Sequence, residues 1–392
     1  MAGIRYGVIG AGRQGVATAY DMLRHGGGAS VLLADYDASV AQQAAARINR
    51  LIGREVATWA QVDASDVDAL VAVLDGLDVF LCGTPFGFIP AATEAALRAR
   101  VSMVDYGGHT PTVLQQLERD ADAKAAGVAI VPDCGMGPGM NNTLGAYAVE
   151  LLEQAGLTPR DVYLWDGGIP QNPTPPWNYQ CAFNINGLTN EYYGEVAVLR
   201  DGKLTMIGAF EELETLVFEG VGELEAFVTT GGTSTAPYTY EGKLRTYQNK
   251  TCRWPGHFAQ FKAFQQLGLF ELEPIEVNGQ SIVPRDVFHA LLEPQITAPV
   301  IKDVCVMRAK GVGEDANGHE RAVIIDLVDY YDEATGFTAM ERITGWHAGI
   351  MAEFIARGIV EPGVWPMERA VPAGVFMEKV RERGFNVTVR WE

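Results

Sequence analysis

IRYGVIGAGRQGVATAYDMLRHGGGASVLLAD, residues 4–35, decides the fold of the first part of this chain. IRYGVI reads as a short buried strand that runs directly into Gly10, Gly12 and Gly15, spaced GxGxxG, before the helical stretch VATAYDMLRHG. The spacing has a physical basis. Gly10 permits the tight turn, Gly12 lets backbone approach a pyrophosphate, and Gly15 lets helix pack on strand. The phosphates of a dinucleotide then rest on the helix N-terminus, where free N–H groups and the dipole favour anions. The next strand, SVLLAD, ends at Asp35, twenty residues after Gly15. A carboxylate there accepts hydrogen bonds from the ribose hydroxyls. It also opposes a 2′-phosphate, and Tyr36 and Asp37 supply no arginine, so NAD is expected in preference to NADP. Arg13 and Gln14 complete the loop as cofactor-binding candidates. Arg13 reads equally as a phosphate or adenine contact and as a solvated loop residue.

The alternation continues through QVDASD, DALVAVLDG, DVFLCGTPF, AATEAALRA, SMVDYGG, VLQQLERDADAKA and VAIVPDCG. Strand after helix after strand predicts a doubly wound parallel sheet of Rossmann type. Ligands of such sheets bind at the carboxyl ends of the strands, which places Asp63, Thr84, Pro85, Phe86 and Asp105 on the cofactor side by position. Past residue 133 the pattern changes to alternating segments such as DVYLWDGG, RTYQNKTCRW, ERAVIIDLVDYYD and FTAMERIT. These predict a second, α+β domain with a mostly antiparallel sheet. The expected division is 1–133 for the dinucleotide domain, completed by the helical tail 344–392, and 134–343 for a substrate and dimerisation domain.

With 392 residues, 48% of them apolar, the chain can build more than one core. Its 30 Lys+Arg against 49 Asp+Glu give a formal charge of −19, which disfavours nucleic acid and anionic membranes and favours a small-molecule partner. Five scattered cysteines without CxxC spacing read as reduced thiols of a cytoplasmic protein, and no metal site is expected. The first residues lack the long apolar region and cleavage site of a signal peptide, and no apolar run is long enough to span a bilayer.

The segment GGIPQNPTPPWNYQCAFNINGL, residues 167–188, is a rigid proline-rich loop carrying Trp177, Tyr179 and Phe183. It reads either as a surface connector or as a pocket wall. Together with VDYGGH (104–109), PDCGMGPGMNN (132–142), LEAFVTTGGTST (224–235), KTCRWPGH (250–257) and VPRDVFHALLEP (283–294), it makes the chain resemble the saccharopine dehydrogenase family along nearly its whole length. Within that family the likeness is to enzymes that oxidise the lysine ε-amine with NAD. The resemblance implies a homodimer, release of ammonia and 2-aminoadipate 6-semialdehyde, and a pocket lined by Phe183. Two positions depart from the pattern. Glu191 stands where a histidine is typical, and Asn249 where a tyrosine is.

Arg253 has the fork to pair an α-carboxylate. Thr233 and Ser234 are candidate hydroxyl donors to that group, or plain turn residues. Tyr179 and Thr251 complete the expected substrate contacts, and His257 is a proton-shuttle candidate or a satisfied buried histidine. A lysine ammonium is neutral in only about one molecule in 2,500 at pH 7, and hydride leaves only when nitrogen has a free lone pair. Glu191 would bind the cation and raise its pKa, whereas Lys250 would lower it, and Lys250 reads equally as a carboxylate ligand or a structural ion pair. The family resemblance implies L-lysine or a related amine as the substrate. Joining or splitting a secondary amine, as saccharopine and carboxynorspermidine enzymes do, and a non-catalytic dinucleotide sensor remain the alternatives.

Overall fold

A computed structural model describes residues 3–181 and 185–392. Strands β1 (Ile4–Ile9), β2 (Gly28–Asp35), β3 (Ala57–Gln61), β4 (Val79–Cys82), β5 (Ser102–Asp105) and β6 (Ala129–Val131) form an all-parallel sheet. Their order is β6-β5-β4-β1-β2-β3, and helices lie between successive strands as the alternation requires. Buried Val8, Val31, Leu33 and Leu81 on one face, and Ile9, Ala34, Phe80 and Cys82 on the other, show why these segments read as continuous apolar runs, since both faces of the sheet are covered.

The second sheet contains β7 (Thr158–Pro170), β8 (Glu195–Arg200), β9 (Lys203–Gly208), β10 (Glu214–Phe218), β11 (Gly222–Val228) and β12 (Thr246–Arg253). A hairpin of β13 (Ile275–Val277) and β14 (Gln280–Ile282) stands apart, and β15 (Asp303–Glu314) and β16 (Glu320–Tyr330) return to the sheet. Its neighbours pair antiparallel with one exception: β12 runs parallel to β7. The protein is thus an α/β fold with a doubly wound parallel sheet and a second, mostly antiparallel one.

The tail divides between the two sheets. Gly363–Val364 adds β17 to the parallel sheet beside β6, whereas Val387–Trp391 adds β18 beside β16. FTAMERIT, expected as a strand, instead opens the helix Ala339–Ala356. Thr338 accepts from the Glu341 backbone N–H and Glu341 accepts from that of Thr338, a capping box that starts the helix ahead of Thr344. This helix lies close against the helix Arg13–Arg24, because a Cβ at Gly345 would stand 2.8 Å from Ala17 Cβ. Buried Arg383 ties the arrangement together, reaching Asp21 at 2.7 Å and Glu353 at 3.0 Å. Among the described residues, no helix is long and apolar enough to cross a membrane.

Candidate active site

The glycine turn has the form its sequence demands. Gly10 has φ of +95°, and a Cβ on Gly15 would lie 2.2 Å from the Gly10 carbonyl oxygen. Among the described residues, nothing stands within 4 Å of the position a Cβ would take on Gly12, and no side chain caps the helix that follows. Asp35, Asp63, Thr84 and Pro85 line one cleft with Gly10 and Gly12. These residues fit a dinucleotide, with open space at the turn, free helix N–H groups, and a carboxylate at the ribose end. Asp35 itself accepts from Ala11 N at 2.9 Å, which locks it against the turn.

Four expected cofactor contacts lie elsewhere, Gln14 in a second cleft. Arg13 is held by Glu341 at 2.8 Å, and so is tied to the C-terminal helix. Phe86 stacks on His109 at 4.4 Å beside a different groove, while Phe88 takes the place lining the cofactor cleft. Asp105 is fully buried and spends its carboxylate on Gly107 N, Asp133 N and Gln116, so it shapes a turn and faces no ligand.

The second cleft, of about 210 Å³, opens between the two sheets. Gln14 and Tyr106 reach it from the dinucleotide side, and Asp166, Glu191, Thr251, Asn249 and Arg253 from the other. Strand alternation explains which residues of β12 arrive. Asn249, Thr251 and Arg253 share one face, and the residues between them point the opposite way. Arg253 Nη2 meets Glu191 Oε2 at 3.2 Å and Nε donates to Tyr192 at 3.0 Å, while Nη1 donates to the Cys252 carbonyl. Burial pushes the Glu191 carboxyl up to about 7, against the opposing pull of Arg253. Thr251 shares a hydrogen bond of 2.7 Å with Thr229.

Several expected substrate residues stand behind this cleft and do not line it. Lys250, on the reverse face of β12, binds the Glu212 carbonyl at 2.8 Å and Glu214 at 3.1 Å, so its ammonium is a structural ion pair. His257 is buried, bonded to Tyr192 at 2.9 Å and stacked on Phe261 at 3.9 Å. Burial, with Arg253 adding to it, holds its pKa well below the usual histidine range and keeps it neutral. Thr233 donates to the Ala197 carbonyl and Ser234 to Asp133, which removes both hydroxyls as carboxylate donors. Tyr179 backs the site, with the Arg253 guanidinium 5.2 Å from its ring centre. The proline loop packs Trp177 against Phe261 and Phe264 and so supports the cleft from behind. Phe183 lies outside the described residues.

Asp166 escaped the sequence reading. It sits near the carboxyl end of β7, accepts from Asn249 at 2.9 Å, and has its carboxyl pushed up to about 6 by burial. The available signal was its place in WDGG, a carboxylate followed by two glycines at the end of an otherwise apolar strand.

Fold and clefts define a two-domain dinucleotide-binding protein whose second domain presents carboxylates and a guanidinium to the glycine turn. The chain belongs to the saccharopine dehydrogenase family. Residues 6–131 match the saccharopine dehydrogenase NADP binding domain, and residues 135–385 the saccharopine dehydrogenase C-terminal domain. It is 21% identical over 384 residues to the mitochondrial alpha-aminoadipic semialdehyde synthase of Rattus norvegicus, covering 81% of this chain and 41% of that protein. It is 23% identical over 218 residues to the NADP(+), L-glutamate-forming saccharopine dehydrogenase of Pyricularia oryzae, covering 53% of this chain and 47% of the relative. The chain thus spans less than half the length of either relative. Its fold is that of the L-glutamate-forming saccharopine dehydrogenase of Saccharomyces cerevisiae, with a TM-score of 0.81 at 18% identity over the whole of both chains.

Proposed function

We propose that this protein is an NAD-dependent oxidoreductase of CH–NH2 donors that oxidises the ε-amine carbon of L-lysine, a lysine 6-dehydrogenase. The observation that carries the reading is the cleft in which Gln14 of the glycine loop faces Asp166, Glu191 and Arg253. NAD, when bound, supplies the hydride acceptor. Asp35 favours it over NADP because the carboxylate repels a 2′-phosphate, and the one arginine of the glycine loop is committed to Glu341. Arg253 has five N–H groups, three of them directed at Tyr192, Cys252 and Glu191, which leaves a guanidinium edge for a substrate carboxylate. Loss of hydride from a neutral amine leaves an iminium cation, whose extra proton departs with the ammonia. Water adds to it, and the products are ammonia and 2-aminoadipate 6-semialdehyde, the compound for which the rat relative is named.

A second reading, splitting of a secondary amine such as saccharopine, draws on a groove that shares Thr230 with the cleft and continues past Asn190, Tyr193 and His109. That groove offers room for a second amino acid. Absorbance at 340 nm on mixing protein and NAD with L-lysine, and separately with saccharopine, tests both. NADH from lysine alone supports the first reading, NADH from saccharopine alone supports the second, and none from either defeats both.

A further inference from the structure

The Asp166 carboxylate is only half accounted for. Oδ1 accepts from Asn249 Nδ2 at 2.9 Å, whereas Oδ2 has no hydrogen-bond donor among the described residues. Gly137 lies directly beside Oδ2, and a Cβ there would come within 2.2 Å of it, so only glycine leaves this oxygen room for a ligand. Asn249, only 3% exposed, carries the second observation. Its N–H is committed to Asp166, which fixes the amide orientation because a flipped amide would set carbonyl against carboxylate. Its Oδ1 is therefore an acceptor by necessity, and it is buried with no partner among the described residues. Both residues line the same cleft, and one of these two acceptors is charged. Glu191 and Arg253 already pair with each other at 3.2 Å, so the unmatched charge is that of Asp166.

We propose that Asp166 and Asn249 form the seat for the ammonium group of a primary alkylamine, so that the substrate is selected as a cation. An ammonium brings one positive charge and three N–H donors, matching one carboxylate oxygen and one amide carbonyl with a donor to spare for Glu191. Water would satisfy the hydrogen bonds but not the charge. The inference deepens the amine-oxidising function proposed above and rests on it for the choice of ligand. It places the substrate's cationic end at Asp166 on β7 and leaves the Arg253 guanidinium, on β12, to meet the substrate's carboxylate.

The seat is charged only when Asp166 is ionised. Facing it are Glu191, Arg253 and Tyr106 across the cleft, while Cys252 and Cys305 on the adjoining strands are thiols kept neutral by burial. With the Asp166 carboxyl near 6 and that of Glu191 near 7, amine affinity rises with pH through 6 to 7 and falls below it.

Calorimetric titration of NADH-loaded protein, which cannot oxidise the amine, provides the test. L-Lysine, 1,5-diaminopentane and L-norleucine are the probes, the last having the chain without the ε-ammonium. Asp166→Asn should weaken L-lysine about 10- to 100-fold and leave L-norleucine unchanged, and Asn249→Ala should weaken L-lysine about threefold to tenfold. The part of the pH dependence centred near 6 should vanish in Asp166→Asn. Equal binding of L-lysine to Asp166→Asn and unmodified protein overturns the proposal. So does an equal loss for L-norleucine, or no binding of either amine to the unmodified protein. If Asp166→Asn does not fold, the Asn249→Ala titration decides. Lysine held through Asp166 but never oxidised would sink the function and keep the seat. NADH formation with binding indifferent to Asp166 would do the reverse.

Discussion

Asp35 and Asp166 are both carboxylates near the carboxyl ends of strands that face a cleft, yet only the first announces itself in the sequence. The difference lies in the sheets that hold them. In the all-parallel sheet every strand ends on the same side, so a glycine turn after β1 tells where the end of β2 must point. In the second sheet strands run both ways, and being at a strand end carries no such meaning. The exception is the parallel pair of β7 and β12, whose carboxyl ends lie side by side with Thr251 opposite Asp166. That pair brings Asp166, Thr251 and Arg253 to one place and behaves as a small piece of parallel sheet set inside an antiparallel one. The second site is thus built on the same geometric rule as the first.

The most severe way to break this arrangement is at the end of β12. Arg253 is 2% exposed and binds Tyr192 as well as Glu191. Arg253→Met leaves a largely buried carboxylate without its cation and should cost about 3 kcal/mol of stability, read by urea unfolding, and abolish turnover. A loss under about 0.5 kcal/mol would mean that Glu191 is solvated and the pair belongs to the surface.

In the parallel sheet, two glycines of one loop separate folding from binding. Gly15→Ala drives a methyl against the Gly10 carbonyl at 2.2 Å and should cost about 1–3 kcal/mol, lowering the thermal midpoint with or without NAD. Gly12→Ala meets no atom of the described residues within 4 Å, so stability should change by less than about 0.5 kcal/mol while NAD affinity falls. Equal effects of both substitutions on the apoprotein would undo the distinction. A smaller change follows at the end of β2. Asp35→Ala should reduce the preference for NAD over NADP about tenfold in fluorescence titrations. If unmodified protein already binds the two alike, Asp35 does not discriminate.

The parallel sheet was legible because its signals are local: glycine spacing, apolar runs and the distance from Gly15 to Asp35 all fall within a few dozen residues. The same positional logic misled at Asp105, which does end a strand but turns its carboxylate inward to hold Gly107 and Asp133. In the second domain the site depends on the facing of alternate residues and on pairing between β7 and β12, whose paired residues lie more than eighty positions apart. Arg253 lies in the cleft its motif suggested, whereas Lys250, three positions earlier, faces the other way, and of the readings its sequence left open the ion pair fits, because a motif does not reveal which face a residue occupies. Asp166 was passed over because DVYLWDGG reads as an ordinary strand until its partner is known.

The mildest test concerns that facing directly. Lys250→Met removes a charge that binds the Glu212 carbonyl at 2.8 Å and Glu214 at 3.1 Å on the side of β12 away from the cleft. Glu214 keeps a hydrogen bond from Trp165 at 2.7 Å and is partly exposed, so stability should fall by about 1 kcal/mol or less. The kinetic consequence separates the two faces. A cation beside the reacting nitrogen would lower the amine pKa, and losing it would move the rising limb of the oxidative rate to higher pH. A lysine holding the substrate carboxylate would instead raise KM and leave the limb in place. A lysine on the reverse face does neither, so kcat, KM and the pH profile of Lys250→Met should match those of the unmodified protein within about twofold. A limb displaced upward by a full pH unit would put Lys250 in the cleft, and with it reverse the facing of Asn249, Thr251 and Arg253, because alternation allows the two sets only opposite sides.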